Sequence, residues 1–238
     1  MEELPDIDYS LDTEEFDFEL DGFTLDLDSQ DNTENTFCKP RLLKPKCVVY
    51  DNAKALSAEL ILQSDAHYFC VISGNFIFGD LIEALILDKI LRVEELTICT
   101  LSMSENNVDS LVNIMLSGNV KKLRLVVSSY FYAHERSGLI KYIYQELESK
   151  PWDFVFSVAR THMKMCMIKT DDLYITLQGS ANLRSSDNIE QFSLIENKEL
   201  YDFSDSVITA IEDSYAINRK EGERGNKLWQ RVVKQAAQ

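Results

Sequence analysis

Four polar side chains in two short runs have the residue types that a site for a tetrahedral anion needs. His162 and Lys164 stand two positions apart in a His-Met-Lys run, and Ser180 and Asn182 stand two apart in a Gly-Ser-Ala-Asn run. An ammonium, a hydroxyl and an amide can neutralise the oxygens of such an anion. An imidazole can attack its central atom or protonate a leaving oxygen.

The first run is predicted to belong to a strand that is centred on residues 164–169. Residues two apart on a strand face the same side of the sheet. His162 and Lys164 should therefore project together, and the residues that alternate with them should pack on the opposite side. Those residues are Met163, Met165 and Met167, and we interpret them as part of the core.

The second run follows another predicted strand, at 173–178. Gly179 ends this strand and permits a tight turn, because glycine has no Cβ. Ser180 and Asn182 then place short polar side chains beside the turn. Both residue types are common in ordinary turns, so the functional interpretation depends on the spacing between the two runs.

Together the two runs resemble the signature of the phospholipase D-like superfamily, which is HxK, then an aspartate, then GSxN. Six residues separate Asp172 from Gly179, as the family pattern requires. The gap between Lys164 and Asp172 is longer than the common family spacing, because the turn at 169–171 is extended. Asp171 is therefore left open as an alternative. In either case we expect a structural salt bridge and no role in catalysis.

The resemblance implies a two-step reaction that needs no metal ion and no other cofactor. One histidine attacks phosphorus and forms a phosphohistidine, a second protonates the leaving oxygen, and water resolves the intermediate. His162 is followed two places later by lysine, whereas His67 and His134 are not. The second histidine is therefore expected from a second copy of the chain, in a homodimer.

Glu190 follows His162 by 28 positions, at the head of the strand after the second run. The family has an acidic or polar residue in a comparable place, where it holds the imidazole. A carboxylate on the far ring nitrogen fixes the tautomer and raises the basicity of the ring. The implied catalytic residues are His162, Lys164 and Glu190. Ser180 and Asn182 are implied to bind the phosphate, and Asp172 and Gly179 to have structural roles.

Short apolar strands alternate with helical segments up to residue 148, which predicts a largely parallel sheet covered on both faces. After Pro151 three strands follow with short connections, so the centre of the sheet should contain antiparallel hairpins. We therefore expect a phospholipase D-like α/β/α sandwich with a mixed central sheet. Strands are predicted at 48–50, 68–73, 95–101, 122–128, 154–159, 164–169, 173–178 and 191–196, and helices at 52–63, 79–89, 106–116, 134–148 and 199–219.

The net charge of -16 is unevenly distributed along the chain. Residues 1–38 contain 14 acidic residues and no Lys or Arg, which leaves 26 acidic and 24 basic residues elsewhere. The nearly neutral remainder can still present a basic groove, since the field at a site depends on where charges lie. We predict an acidic tail with a basic linker over 1–45 and a phospholipase D-like domain over 46–238. Alternating acidic and apolar residues around Asp21-Gly22 leave a hairpin or a disordered tail open.

The five cysteines, at positions 38, 47, 70, 99 and 166, are odd in number and have no CxxC spacing. This argues against a disulfide framework and against a zinc site. No run of 18 or more apolar residues occurs, so neither a membrane span nor a membrane partner is expected. Together these features favour a soluble protein of the reducing cytoplasm.

Nucleic acid is the favoured substrate, by similarity to single-motif members of the superfamily, many of which are nucleases. A phospholipid or a small phosphodiester is an alternative, against which the repulsion between an acidic protein and anionic membranes counts. A non-catalytic binding protein that keeps the fold is a further alternative. The fold does not decide between them, because one fold serves many functions.

Overall fold

The computed structural model describes residues 46–50, 52–73, 76–89, 91–184, 188–217 and 230. The predicted acidic tail and basic linker, and with them the choice between a hairpin and disorder, lie outside these residues. The predicted domain boundary at residue 45 therefore stays a prediction.

Eight strands and six helices occur in the described residues. The strands are β1 (Lys46–Tyr50), β2 (His67–Ile72), β3 (Val93–Thr100), β4 (Val120–Ser128), β5 (Asp153–Ala159), β6 (Met165–Lys169), β7 (Tyr174–Gly179) and β8 (Glu190–Glu196). The helices are α1 (Ala53–Glu59), α2 (Phe78–Leu87), α3 (Glu105–Leu116), α4 (Ser129–His134), α5 (Leu139–Ile143), which continues into a π-helical segment (Tyr144–Glu148), and α6 (Lys198–Tyr215). Among these helices, none combines the length and the apolar composition that crossing a membrane requires.

All eight strands form one mixed sheet in the order β1-β2-β8-β7-β6-β3-β4-β5. Parallel pairs at the two sides, β1–β2 and β3–β4–β5, flank an antiparallel centre of β8, β7 and β6. The predicted hairpin character of the centre is thus confirmed. Because β6 and β8 run against the others, their first residues lie at the same edge as the last residues of β2, β3 and β7. We call this the site edge.

Two apolar layers cover the two faces of the sheet, and β3 shows how alternation divides them. Leu96 and Ile98 belong to a large layer that includes residues of α1 to α5. Cys99 belongs to a smaller layer that packs under α6. The predicted α/β/α sandwich is therefore confirmed. The interpretation of the methionine stripe as core is also correct, since the smaller layer contains Met165 and Met167, and the partly buried Met163 packs against it.

The helical region predicted as one helix over 134–148 is divided in the structure and begins earlier. Ser128 starts α4, because its hydroxyl accepts a hydrogen bond from the N–H of Phe131 at 3.0 Å. Gly138 interrupts the helix with φ −110° and ψ −102°. The predicted helix at 52–63 is also too long, because Leu60 turns to an extended conformation with ψ 106°.

The guanidinium of Arg124 ties α6 to the sheet. This side chain on β4 is only 4% exposed, and three carboxylates lie within 3.0 Å of it. Glu95 comes from the neighbouring strand β3, whereas Asp205 and Glu212 come from α6. The hydroxyl of Thr209 accepts a further hydrogen bond at 3.0 Å. One cation therefore balances acidic groups from both the helix and the sheet.

We expect Arg124→Ala to destabilise the protein by about 3 kcal/mol, because partly buried carboxylates lose their cation. Urea unfolding followed by circular dichroism measures this. Lys121→Ala is the matched control, since it removes a cation from the same strand whose pair with Glu94 is open to solvent. The control should keep the wild-type midpoint. Equal midpoints for both variants and wild type would contradict the role given to Arg124.

Candidate active site

The strand register places the two sequence runs side by side at the site edge. β6 and β7 are antiparallel, with Met165 opposite Gln178. One position further out, the N–H of Gly179 donates a hydrogen bond to the carbonyl oxygen of Lys164 at 3.3 Å. The His-Met-Lys run before β6 therefore lies beside the Gly-Ser-Ala-Asn run, which begins at the end of β7.

His162 and Lys164 lie in the loop before β6, not on the strand as predicted. Thr161 is the physical reason, because its N–H donates to the carbonyl of Ala159 at 2.9 Å and its hydroxyl accepts from the N–H of Met163 at 3.1 Å. These bonds turn the backbone before the strand begins. The two side chains nevertheless meet, with Lys164 Nζ 3.0 Å from His162 Nδ1 and 2.9 Å from the His162 carbonyl oxygen.

The contact with Lys164 fits one of the two neutral tautomers of His162. An ammonium can only donate hydrogen bonds, so Nδ1 accepts from Lys164 and Nε2 holds the proton in this arrangement. The His162 side chain is exposed, so a ligand can reach it. A nucleophilic Nε2 would require the other tautomer, in which Nδ1 donates to an acceptor.

Glu190 bonds to Ser180 and not to His162. The Ser180 hydroxyl donates to Glu190 Oε2 and accepts from the N–H of Gln191 at 3.1 Å. The Ser180 N–H donates to the Gln191 carbonyl at 2.9 Å. Among the described residues, no hydrogen bond joins Glu190 to His162. The carboxylate that the resemblance implies as the partner of the imidazole is thus the partner of the serine in this structure.

Asn182 contributes a buried polar atom to the site. Its Oδ1 is shielded from solvent and has no hydrogen-bond partner within the described part of the chain. The loop around it is fixed by Leu183, whose N–H donates to Thr100 Oγ1 at 3.2 Å and whose carbonyl accepts from Ser104 at 2.8 Å. An unpaired buried polar group costs about 1–3 kcal/mol, so this oxygen is an unsatisfied acceptor at the site.

A pocket of about 320 Å³, which we call pocket A, opens beside the second run. Its lining contains both apolar and polar side chains. The pocket adjoins the site through the second run and Glu190, and His162 and Lys164 lie outside its lining. The lining includes Ile72, Phe76, Phe78, Asn182, Arg184 and Glu190.

Gly179 supports the site for a reason that differs from the prediction. Its φ is not positive, so a tight turn is not what requires glycine. A Cβ at this position would lie 2.1 Å from the Gln191 carbonyl oxygen and 2.6 Å from Phe192 Cα. Both contacts are with backbone atoms, which cannot move aside easily. Glycine is therefore required because β7 and β8 approach each other closely here.

The two aspartates considered for the family position lie in the turn between β6 and β7. Asp171 and Asp172 are both exposed, and the N–H of Asp172 donates to Thr170 Oγ1 at 3.3 Å. Within the described residues, neither carboxylate forms an ion pair. The expected structural salt bridge is therefore not found there, and the choice between the two positions stays open.

Cys99 lies beneath the loop that carries His162, with its Sγ 3.9 Å from Thr161 Oγ1. Burial raises the pKa of this thiol to about 11. A thiol is a weak nucleophile until it ionises, so Cys99 contributes packing beside the site. In the part of the chain that the structure describes, no three His, Cys, Asp or Glu side chains come together as metal ligands.

Thr100 is a supporting residue that the sequence argument missed. It is fully buried, and its hydroxyl donates to the Ser102 carbonyl at 2.7 Å while it accepts from the Leu183 N–H. It therefore fastens the second run to the end of β3. A hydroxyl residue near the end of an apolar strand was the signal that could have identified it.

Comparisons with known proteins find similar folds among solved structures. NucT from Helicobacter pylori is 15% identical with a TM-score of 0.46, over 63% of this chain and 98% of that one. Nuc from Salmonella typhimurium, a phospholipase D family member, is 16% identical with a TM-score of 0.45, over 63% and 96%. Phosphatidylserine synthase from Haemophilus influenzae Rd KW20 is 14% identical with a TM-score of 0.44, over 71% and 44%.

No protein-family model matches the sequence, and no curated protein does. The chain resembles the phospholipase D-like superfamily in its motif and in its fold class, a mixed sheet between two helical layers.

Gly179→Ala should destabilise the protein by about 1–3 kcal/mol, because the new Cβ overlaps the backbone of β8. The midpoint of urea unfolding measures the change. Gln178→Ala is the control, since it shortens an exposed side chain on the same strand and should leave the midpoint unaltered. If alanine at 179 were as stable as glycine, the close approach of β7 and β8 would not constrain the site.

Proposed function

We propose that this protein is a metal-independent phosphodiesterase, a nuclease of the phospholipase D-like type that acts through a phosphohistidine on His162. The observation that carries the proposal is the hydrogen bond from Gly179 to Lys164. This bond aligns the imidazole and the ammonium with the backbone that presents Ser180 and Asn182. A nucleophile, a cation and neutral polar groups then share one edge of the sheet.

Lys164 supplies the positive charge that a bound phosphodiester requires. Its Nζ lies 3.0 Å from the His162 ring, so a phosphate that binds to the ammonium has its phosphorus close to the imidazole. The Asn182 amide and the Ser180 hydroxyl complete the contacts with the oxygens. Such fixed groups stabilise the charge that develops in the transition state.

Substrate binding changes the partners of His162 in the proposed reaction. When Lys164 turns to the phosphate, Nδ1 loses its present donor. Nε2 can attack only if Nδ1 carries the proton and donates it to an acceptor. Glu190, now bonded to Ser180, is the site carboxylate proposed to accept that hydrogen bond.

The reaction proceeds in two balanced steps. Nε2 of His162 forms a bond to phosphorus, the phosphorus–oxygen bond to the leaving group breaks, and a second imidazolium gives its proton to that oxygen. Water then attacks phosphorus, the phosphorus–nitrogen bond breaks, and the second imidazole takes the proton from the water. The products are a phosphomonoester and an alcohol.

Neither other histidine of the chain is suited to be the second one. His67 begins β2, about 16 Å along the strand from Ile72 at the site edge. His134 ends α4, and its Nδ1 lies 2.8 Å from the carbonyl oxygen of Tyr130. The proposal therefore takes His162 of a second copy, brought close by a two-fold axis.

Nucleic acid is the proposed substrate class. The support is the single copy of the motif, a pattern of nuclease members of the superfamily that the sequence resembles. Phospholipids and small phosphodiesters share the same reacting group, so the assay includes them. If the protein hydrolyses a phospholipid but cleaves neither DNA nor RNA, the proposed substrate class is wrong and the proposed reaction mechanism still holds.

His162→Asn should lower the rate of DNA or RNA cleavage in excess chelator by at least about 10³-fold, because the nucleophile is removed. The release of acid-soluble fragments from labelled substrate is measured for wild type and variant. His67→Asn is the matched control, since it changes a histidine at the opposite edge, and should keep the wild-type rate. Full activity of His162→Asn would refute the proposed mechanism.

Mixed dimers test the requirement for two copies of His162. If each site needs both, random dimers from equal amounts of wild type and His162→Asn retain about a quarter of the wild-type activity. Independent subunits would retain about half. Light scattering establishes the dimer first, and wild type mixed with His67→Asn should keep full activity. A fully active monomer would contradict the shared site.

A further inference from the structure

A second pocket adjoins pocket A at the site edge. This pocket B has a volume of about 450 Å³ and lies between the loop after β3 and the helices α4 and α5. Ser102 and Arg184 line both pockets, so the two lie side by side with these residues at the junction. We call the pair of pockets the depression.

Arg184 is the cation at this junction. Its side chain is exposed and forms neither an ion pair nor a hydrogen bond with any described residue. The preceding residue, Leu183, is held on both backbone groups by Thr100 and Ser104. A positive charge therefore stands on a fixed backbone, two positions after Asn182.

The lining of pocket B determines which part of a ligand it can take. Phe131 and Leu139 make it partly apolar, and Tyr142 adds an aromatic ring. Glu105 and Glu135 line it as well, and two carboxylates repel a phosphate. Pocket B therefore suits a neutral, flat group such as a nucleobase. A phosphate next to that base would bind Arg184.

We propose that the site binds an extended single strand with at least two consecutive phosphodiesters. One phosphate lies at His162 and Lys164, the neighbouring phosphate binds Arg184, and a base enters pocket B. Polymer-binding sites of this kind combine positive charge along the backbone with aromatic surfaces for the bases. This inference rests on the proposed function. It makes Arg184 the residue through which the site distinguishes polymeric substrates from small diesters.

The test compares Arg184→Ala with wild type on a single-stranded oligonucleotide and on bis(p-nitrophenyl) phosphate, which has no second phosphate. kcat/KM for the oligonucleotide should fall about 10- to 100-fold, the value of one charge-assisted contact. kcat/KM for the small diester should change less than about twofold. Arg92→Ala, at the opposite edge of the sheet, should alter neither value.

A second measurement is the dissociation constant of the single-stranded oligonucleotide, determined at several salt concentrations for Arg184→Ala and its parent in the His162→Asn background. Removal of one phosphate contact should reduce the slope of log Kd against log salt by about 0.7 for a single strand. Equal losses on both substrates, or an unchanged oligonucleotide rate and salt slope, would overturn the role of Arg184. If wild type hydrolyses neither substrate, the proposed function fails, and the salt slope still decides whether Arg184 binds a strand.

Discussion

At the site edge, the backbones of β7 and β8 come closer than any side chain at position 179 would allow. The absence of a Cβ there lets Ser180 exchange hydrogen bonds with Gln191, and the same stretch of backbone bonds to Lys164, directly before β6. Three strands are thereby held in one register. The polar groups of the site are thus positioned by main-chain contacts, which are stiffer than contacts between side chains. A slip of one residue along β7 would turn the side chains of that strand to the other face of the sheet.

The remaining structure keeps this register in place from both faces. Among the described residues, five helices contribute to the larger apolar layer and α6 packs on the smaller one. The Arg124 cluster strengthens the attachment of α6, because it joins this helix to β3 and β4 through charge as well as packing. Cys99 contacts Thr161 in the loop that carries His162 and belongs to the layer under α6, so a loss of α6 would expose part of the support of the site.

The order of strands and helices was largely predictable, because apolar runs and their spacing reflect burial directly. The proximity of the two motif runs was predictable for the same reason, since both flank strands of one hairpin. The individual hydrogen bonds of the site could not be predicted from the sequence. The partner of Glu190 depends on backbone atoms of residue 191 that no pattern of residue types encodes. The loop at His162 depends on two bonds of Thr161, and the break at Gly138 divided a helix whose apolar periodicity continued through it.

Two kinds of secondary structure, strands and short helices, form the site edge. Strands locked by their ladder carry the His-Met-Lys and Gly-Ser-Ala-Asn runs, whereas one wall of pocket B comes from α4 and α5, helices of six and five residues. Short helices tolerate substitutions and changes of length better than the interior of a sheet. Replacement of that wall could therefore redirect what enters the depression while the reacting groups keep their places, so selectivity and reactivity are free to evolve separately in this architecture.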